Sequence, residues 1–228
     1  MSEGPFASLS FSVAAGDDPE NVRQNRALVE RSLGVEEGKL LYLSQVHGVA
    51  AYEASADDTL TTAVDQEGDI LFSNSTEVAC GVRTADCVPV LLAQPSTGAV
   101  AAVHAGWRGA VANAPAIGVR LLRERFGDGP IVAAIGPHIS ANAFEIGPDV
   151  AVALREAAKD RGIVAMREGR LTGDLAALVS ASLEAAGVTE IDRIAGCTVN
   201  EPERFFSYRR DGARSGRHVS AIVARRSP

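Results

Sequence analysis

Short apolar runs separated by turn residues dominate the central part of this chain. One run covers residues 88–93, a second covers residues 99–103, and the segment between them is Gln94-Pro95-Ser96-Thr97-Gly98. Runs of this length joined by a loop that contains Pro and Gly are typical of an antiparallel β-hairpin. The pattern therefore predicts a hairpin at the centre of the fold.

The predicted register of this hairpin brings a thiol and an imidazole together. If the chain folds about the middle of its loop, Cys87 lies opposite Gly106. His104 then lies opposite Pro89, diagonal to Cys87 and on the same face, because side chains alternate with a period of two. Diagonal neighbours lie about 7–8 Å apart at Cα, so long side chains can converge. A register shifted by one residue would put the two groups on opposite faces.

The remaining apolar segments predict strands that are only partly separated by helices. A capping Asp followed by Pro predicts a helix that begins at Pro19 and ends near Gly34. Further helices are predicted at residues 113–126, from 148 onward and at 174–187. Strands are predicted at residues 6–13, 40–46, 49–53, 69–72, 78–82, 131–135, 191–199 and 219–224. Because strands occur both as neighbours and separated by helices, the pattern indicates an α+β fold with mixed β-sheets and flanking helices.

Length and composition limit the class of protein. The 228 residues suit one large domain or two small ones, and no linker divides them, so we predict a single domain over residues 1–228. A net charge of −7 argues against a nucleic-acid-binding protein. No apolar run approaches the ~20 residues of a membrane helix. Three cysteines without a CxxC motif favour a reducing cytoplasm. We therefore expect neither a nucleic-acid partner nor a membrane.

Cys87 and His104 permit three interpretations. They can bind a metal, form a thiolate–imidazolium pair that acts as nucleophile and base, or pack as a buried Cys beside a core His. The sequence Gly106-Trp107-Arg108-Gly109 that follows is unusual for a plain strand end and favours a functional site. His47 follows a predicted strand and is one of only four histidines, so it is the leading candidate for a third group.

Charged side chains near this pair are candidates for binding and proton transfer. Arg108 offers a planar set of donors to an anion such as phosphate. Arg83 and Arg209 are also assigned to substrate binding. Arg209 belongs to an aromatic and cationic segment, residues 205–210, that could line a pocket for a planar anionic ligand. Asp86 is predicted to carry a proton, to orient a metal ligand, or to cap a turn.

Arginine recurs toward the end of the chain. This distribution favours either a solvated basic tail or an anion-binding edge. The residues concerned are Arg204, Arg209, Arg210, Arg214, Arg217, Arg225 and Arg226.

Several longer motifs stand out from residue 40 onward. They are Ser-Gln-Val-His-Gly at 44–48, Thr-Ala-Asp-Cys-Val-Pro-Val-Leu-Leu at 84–92, Val-His-Ala-Gly-Trp-Arg-Gly at 103–109, Ile-Gly-Pro at 135–137, Cys-Thr at 197–198 and Phe-Phe-Ser-Tyr-Arg-Arg-Asp-Gly at 205–212. Together these motifs closely resemble the YfiH-like family, which is also labelled multicopper polyphenol oxidase (laccase) and purine nucleoside phosphorylase.

The resemblance implies a fold, a metal site and an activity. The fold is a mixed α/β sandwich distantly similar to the catalytic domain of bacterial cytotoxic necrotizing toxins. The family's metal ligands correspond to His47, Cys87 and His104, and three ligands leave one position of a zinc ion open, as in catalytic sites. The implied reactions are phosphorolysis of adenosine, inosine, guanosine and methylthioadenosine, and deamination of adenosine. One departure is Phe144, where relatives commonly carry Tyr, so a hydroxyl is lost.

Two other functions stay open beside the zinc nucleoside enzyme that we predict. A single copper ion could occupy the same ligands in a laccase-like polyphenol oxidase, because copper outcompetes zinc on most sites. Four histidines are too few for that site and a multinuclear copper cluster as well. Alternatively, Cys87 and His104 could act without metal as a hydrolase or amidase, for example in editing peptidoglycan precursors.

Overall fold

A six-stranded mixed sheet with the predicted hairpin at its centre forms the middle of the molecule. The computed structural model describes residues 1–159 and 161–225, so Arg226 lies outside the described residues. The strands of the large sheet, in spatial order, are β10 (Glu190–Arg193), β7 (Val132–Ile135), β5 (Val88–Gln94), β6 (Ala99–Ala105), β3 (Ile70–Ser73) and β2 (Ala51–Glu53). The four central strands pair antiparallel, and the two outer strands run parallel to their neighbours.

Two smaller sheets complete the β-structure of the described chain. A three-stranded sheet consists of β1 (Leu40–Leu41), β4 (Ala79–Thr84) and β11 (His218–Val223), with β4 in the middle. β1 runs parallel to β4, and β11 runs antiparallel to it. A separate hairpin consists of β8 (Val164–Arg167) and β9 (Arg170–Gly173).

The helices lie mainly on the outside of the sheets. They are α1 (Pro19–Leu33), α2 (Leu60–Val64), α3 (Trp107–Val111), α4 (Ala114–Phe126), α5 (Pro148–Ala158), α6 (Leu175–Ala185) and α7 (Tyr208–Asp211). Short 3₁₀ helices occur at Gly4–Phe6, Val13–Ala15 and Gly212–Arg214. Within residues 1–159 and 161–225, no helix combines the length and apolarity needed to cross a membrane.

The packing produces four layers, which confirms the predicted α+β fold with mixed sheets and flanking helices. α1 covers the outer face of the small sheet, through contacts that include Phe11, Val29, Leu33 and Leu40. The two sheets pack face to face through residues that include Leu41, Leu71, Val82, Val100 and Ala102. The long helices cover the other face of the large sheet, through residues that include Val90, Val103, Leu122, Leu154 and Val179. Burying each such side chain contributes about 1.5–3 kcal/mol to stability.

The hairpin and the first helix form as the sequence predicts. Val88 pairs with Ala105 and Pro89 pairs with His104, which is the predicted register. In α1, the Asp18 side chain accepts a hydrogen bond from the amide of Glu20, and Gly34 ends the helix in the left-handed conformation. Both features depend on local residue chemistry, and this is why the sequence alone predicts them.

The predicted strand at residues 6–13 is wrong. The chain there forms turns between two 3₁₀ helices, Gly4–Phe6 and Val13–Ala15, and no described strand pairs with it. Its backbone polar groups bond individually to side chains and to other segments. The Asn25 side chain, for example, donates to the carbonyl of Ser10 at 2.9 Å. Phe11 still buries its ring, and its amide donates to the carbonyl of Arg217 at 3.0 Å. The apolar pattern therefore marks burial correctly but not conformation.

Two other predicted strands are shorter than expected. β1 ends at Leu41, and the side-chain amide of Gln45 takes the place of a backbone partner: its Nε2 donates to the carbonyl of Arg83, and the amide of Arg83 donates to its Oε1, both at 2.8 Å. The strand predicted at 191–199 ends at Arg193, and Cys197 instead forms an isolated bridge with His138. The β8–β9 hairpin and α2, which lies in a predicted surface loop, were not expected from the sequence.

Candidate metal centre

Three side chains that are far apart in the sequence converge at one end of the large sheet. The ligand atoms of His47, Cys87 and His104 all lie within 4.8 Å of one another. His47 is exposed, Cys87 is half-buried and His104 is buried. The two imidazole rings meet edge to face, with 4.8 Å between their centroids. The structure thus brings together the three residues that the sequence predicts as metal ligands.

Each of the three residues comes from a different part of the fold. His104 is the penultimate residue of β6, and Cys87 directly precedes β5, so the hairpin register sets their separation. His47 lies in the turn that follows β1, with a backbone φ of 62°. The left-handed conformation is uncommon outside glycine and costs about 1–3 kcal/mol, so other contacts must stabilise the turn at His47.

Gly106 leaves room for this convergence. A Cβ atom at position 106 would lie 2.8 Å from Cδ2 of His47 and 3.1 Å from Sγ of Cys87. Any larger residue would therefore push two of the three groups away from their present positions. This is the physical reason why a glycine directly follows β6 and begins the unusual Gly-Trp-Arg-Gly sequence there.

A buried carboxylate, Asp69, supports the site from behind. Nδ1–H of His104 donates to Oδ1 of Asp69 at 2.7 Å, and Asp69 is 1% exposed. The same carboxylate accepts hydrogen bonds from the amides of His47 at 3.0 Å and of Gly48 at 2.6 Å. Asp69 therefore fixes both the ring of one candidate ligand and the strained turn of another, and it leaves Nε2 of His104 for Cys87.

Asp69 is a member of the site that the sequence does not predict. The feature that could have identified it is an acidic residue at the start of a buried apolar run. Burying a charge there costs free energy unless the charge is hydrogen-bonded. Its meaning depends on the pairing of β3 with β6, which places Asp69 next to His104: the amide of His104 donates to the carbonyl of Asp69 at 2.8 Å. Such pairing between distant strands cannot be derived from a local pattern.

The electrostatics of the site favour a thiolate beside a charged imidazole. Burial raises the pKa of Cys87, but hydrogen bonds from His104 and His47 outweigh it and lower the pKa to about 6. Burial lowers the pKa of His104, whereas its hydrogen bonds to Asp69 and Cys87 raise it to about 9. Burial also raises the pKa of Asp69, and the bonds from His104 and Gly48 lower it overall. The thiol is therefore ready to act as a metal ligand or as a nucleophile.

Asp86 has a different task from the one performed by Asp69. Its Oδ1 accepts from Oγ1 of Thr198 and its Oδ2 accepts from the amide of Arg209, both at 2.6 Å. Its backbone is in the left-handed region, with φ of 99°. The carboxylate thus ties the loop before β5 to the segment around α7, and Asp69 is the carboxylate that orients a candidate ligand. The predicted proton-transfer role of Asp86 stays a prediction.

The converged side chains open onto a cavity of about 590 Å³. Arg83, Arg209 and Arg217 line it, together with the aromatic rings of Phe144 and Tyr208. The volume can hold a small-molecule ligand of nucleoside size. Two of the arginines predicted to bind substrate therefore lie in the cavity wall.

Arg108 is not brought into this wall. Its side chain is exposed, and its guanidinium lies over the ring of Trp107, 4.6 Å from the ring centre. The predicted contact between Arg108 and phosphate stays a prediction. Arg217, in contrast, lines the cavity, although its sequence pattern predicts only membership of the C-terminal arginine cluster.

Comparisons with known proteins agree with this architecture. A sequence model described as multi-copper polyphenol oxidoreductase laccase matches residues 1–225. The purine nucleoside phosphorylase of Deinococcus radiodurans is 38% identical over 226 residues, which cover 97% of this chain and 84% of that protein. The purine nucleoside phosphorylase YfiH of Escherichia coli is 34% identical over 224 residues, covering 96% and 87% of the two chains.

A solved structure extends the comparison to the fold. The crystal structure of the Bacillus licheniformis hypothetical protein YfiH matches with a TM-score of 0.90 at 28% identity, covering 98% of this chain and 88% of that one. The mixed sheets and their flanking helices are thus shared with a solved relative. A match to the family model over residues 1–225, with these relatives, shows that this chain belongs to the YfiH-like family, as its motifs predict.

Proposed function

We propose that this protein is a zinc-dependent purine nucleoside enzyme that performs phosphorolysis of adenosine, inosine, guanosine and methylthioadenosine and also deaminates adenosine. The observation that carries the proposal is the convergence of His47, Cys87 and His104 in the wall of a cavity of nucleoside size. The names of the relatives, which are called purine nucleoside phosphorylases, support the substrate class.

The residues present fit a zinc ion. Two imidazoles and a thiolate are donor types that zinc prefers, and three protein ligands leave one coordination position open. The bond from His104 to Asp69 is the kind of outer contact that orients metal-bound histidines in many proteins. When bound, zinc supplies a Lewis acid that polarises oxygen atoms of water or substrate.

The chain's own groups have defined tasks in phosphorolysis. In that reaction, a phosphate oxygen bonds to the anomeric carbon, the bond from that carbon to the purine nitrogen breaks, and the purine leaves with a proton. Phe144 and Tyr208 offer apolar surfaces for the planar base, and the arginines of the cavity offer charge for the phosphate. The cavity holds the nucleoside and phosphate together, so that their reaction becomes effectively unimolecular.

The central experiment combines metal analysis with product detection. Purified protein incubated with adenosine and phosphate should release adenine and ribose 1-phosphate, and adenosine without phosphate should yield inosine and ammonia. About one zinc per chain is expected, and chelation should abolish both reactions until zinc is restored. Full turnover by protein stripped of metal would contradict the proposal.

A metal-free cysteine hydrolase or amidase is the second candidate, and one observation favours it. Cys87, His104 and Asp69 form a chain of hydrogen bonds in which the thiol has a lowered pKa, as in enzymes with a cysteine nucleophile. The substrates would then be amides such as peptidoglycan precursors. Activity that survives chelation but is lost on thiol alkylation would support this candidate over the zinc enzyme.

A single copper ion in the same group is the third candidate, as the description of the family's sequence model suggests. The other two histidines are engaged elsewhere: Nδ1 of His138 bonds to the carbonyl of Gly136, and His218 bonds to Thr84 and Phe206. The donor set therefore suits one ion rather than a copper cluster. Oxidation of a phenol by copper-loaded protein, and failure to cleave nucleosides, would favour this candidate.

We also infer a cytoplasmic location and small-molecule partners. Cys80, Cys87 and Cys197 are free thiols, which suits a reducing compartment. The net charge of −7 supports the absence of a nucleic-acid partner.

A further inference from the structure

Two arginines in the cavity wall are neighbours on the small sheet. Arg83, on β4, pairs with Val219 on β11, and the ladder continues to the pair of Thr84 with His218. Arg217 directly precedes His218 in the chain, so it lies diagonally across from Arg83. Because alternate residues of a strand share a face, both guanidinium groups project toward the same side, where both line the cavity.

Neither guanidinium forms a salt bridge with a carboxylate of the described chain. Nε of Arg83 is buried and finds no hydrogen-bond acceptor there. Nη1 of Arg83 makes one long bond to the carbonyl of Phe11 at 3.4 Å, and Nη1 of Arg217 donates to the carbonyls of Ser215 and Gly216. Most donors of the pair are therefore not used by the protein.

The two cations are held close together at an energetic cost. Burial lowers the pKa of Arg83, Tyr42 opposes this shift, and repulsion from Arg217 adds to it. Burial also lowers the pKa of Arg217, which Cys87 and Asp86 partly oppose. Among the described residues that line the cavity, Asp86 is the only one with a carboxylate, and both of its oxygens accept bonds from other groups. Partly buried cations without a paired anion are unfavourable unless a ligand supplies the negative charge.

The backbone of Phe11 contacts both arginine residues, the main chain of Arg217 and the side chain of Arg83. Its amide donates to the carbonyl of Arg217, and its carbonyl accepts from Arg83. The ring of Tyr42 stacks against the guanidinium of Arg83, with 4.4 Å between the guanidinium carbon and the ring centre. Arg83 and Arg217 thus belong to the cavity wall and keep donors that the protein does not satisfy, as a prepared anion site requires.

We propose that Arg83 and Arg217 form the phosphate subsite of this enzyme, which binds inorganic phosphate as the co-substrate of phosphorolysis. This inference rests on the proposed function and deepens it. Two planar guanidinium groups on one face match the oxygens of a tetrahedral oxyanion better than one exposed side chain does. Arg108 projects outside the cavity, and the guanidinium of Arg209 already donates to the carbonyls of Ala143 and Glu145.

The test replaces each arginine and varies phosphate and nucleoside separately. In zinc-loaded Arg83→Gln and Arg217→Gln, the KM for phosphate should rise roughly 10–100-fold, because each variant loses charge-assisted hydrogen bonds. The KM for the nucleoside should change less than about threefold, because the base and ribose make no use of these donors in the proposed arrangement. The matched control is Arg120→Gln, since Arg120 is an exposed arginine on α4 whose neighbour is Glu124.

Binding of inorganic phosphate, followed by titration calorimetry or by ³¹P line broadening, separates this inference from the proposed function. If phosphate binds the wild-type chain and both variants weaken it, the subsite stands even when no nucleoside is cleaved. If the wild type cleaves nucleosides and folded variants keep its phosphate KM, the inference is overturned while the function stands. A rise in phosphate KM that occurs only in Arg108→Gln would overturn it as well.

Two conservative variants serve as controls for loss of folding. Arg83→Lys and Arg217→Lys keep the positive charge but lose the planar fork, so an intermediate rise in phosphate KM is expected. Circular dichroism and zinc content should match the wild type in these variants. Lysine variants with a wild-type phosphate KM would show that the guanidinium geometry has no part in binding phosphate.

Discussion

The two walls of the cavity differ in how their polar groups are satisfied. In the metal wall, formed by His47, Cys87, His104 and Asp69, every group contacts another group of the wall. In the arginine wall, formed by Arg83, Arg209 and Arg217, no guanidinium is paired with a carboxylate in the part of the chain that the structure describes. In the proposed function, the groups that would position an ion are fixed by the protein, whereas Arg83 and Arg217, which would bind phosphate, keep donors available.

The largest expected effect comes from removing a member of the metal wall. His47→Ala, Cys87→Ala and His104→Ala should each reduce zinc content and activity together. The loss should exceed the roughly 10–100-fold loss that is typical when a residue contacting a metal ligand is replaced. Metal analysis and adenosine turnover on the same preparation measure this. The matched control is Cys197→Ala, which removes a half-buried thiol outside the converged group and should keep its zinc. A variant of the three that retains zinc and turnover would remove its residue from the ligand set.

The next effect tests the carboxylate that braces the metal wall. Asp69→Asn should weaken zinc binding about 10–100-fold, because an amide cannot accept from His104 and from two backbone amides in the same way. Zinc affinity measured by competition with a chelator gives the change. Asp86→Asn is the comparison, since Asp86 bonds to Thr198 and Arg209 rather than to a candidate ligand. Equal losses of zinc affinity in both variants would contradict the separate tasks of these carboxylates.

A smaller effect is expected from filling the space at Gly106. In Gly106→Ala, the new methyl group would crowd His47 and Cys87, at a cost of about 1–3 kcal/mol. We expect zinc binding roughly tenfold weaker and a folded chain by circular dichroism. Gly147→Ala serves as control because a Cβ atom there meets nothing within 4 Å. Unchanged zinc affinity in Gly106→Ala would mean that the ligands have more freedom than their contacts indicate.

The smallest effect is a decrease of stability at acidic pH. It involves His218, which directly follows Arg217 of the arginine wall. Nδ1–H of His218 donates to the carbonyl of Thr84 at 3.1 Å, and its Nε2 accepts from the amide of Phe206 at 2.8 Å, so the ring is neutral. Burial lowers the pKa of His218 below 6.5, the Thr84 carbonyl and Asp86 oppose this, and Arg217 and Arg210 add to it.

The sign of the pH dependence follows from this lowered pKa. As the pH falls through 6.5, the unfolded chain takes up a proton at His218 before the folded chain does, so stability decreases until the folded pKa is passed. The slope from this residue is at most about 1.4 kcal/mol per pH unit. Urea unfolding at several pH values should show a flatter dependence below pH 6.5 in His218→Gln than in the wild type. Identical slopes would show that His218 does not remain neutral in the folded chain.

The sequence predicted the parts of the site that depend on local chemistry. The loop between two short apolar runs determined the hairpin register, and this register placed Cys87 and His104 at the same end. His47 was found through its rarity and its place after a strand. The helix caps at Asp18 and Gly34 were likewise recognisable, because capping depends on residues next to each other in the chain.

Contacts between distant segments were beyond sequence reasoning. Asp69 acquires its role only when β3 pairs with β6, and Arg217 enters the cavity only because β11 returns beside β4. The direction of Arg108 was equally hidden, because it depends on how α3 begins after Gly106. Each of these outcomes is decided by packing between segments separated by tens of residues.

The contacts of Asp69 have a consequence for the energetics of metal binding in the proposed enzyme. Because the carboxylate bonds to the ring of His104 and to the backbone of His47, part of the entropy cost of ordering these two residues is met by folding rather than by ion binding. The choice of ion would then depend on its supply and on the preference of two nitrogens and one sulfur.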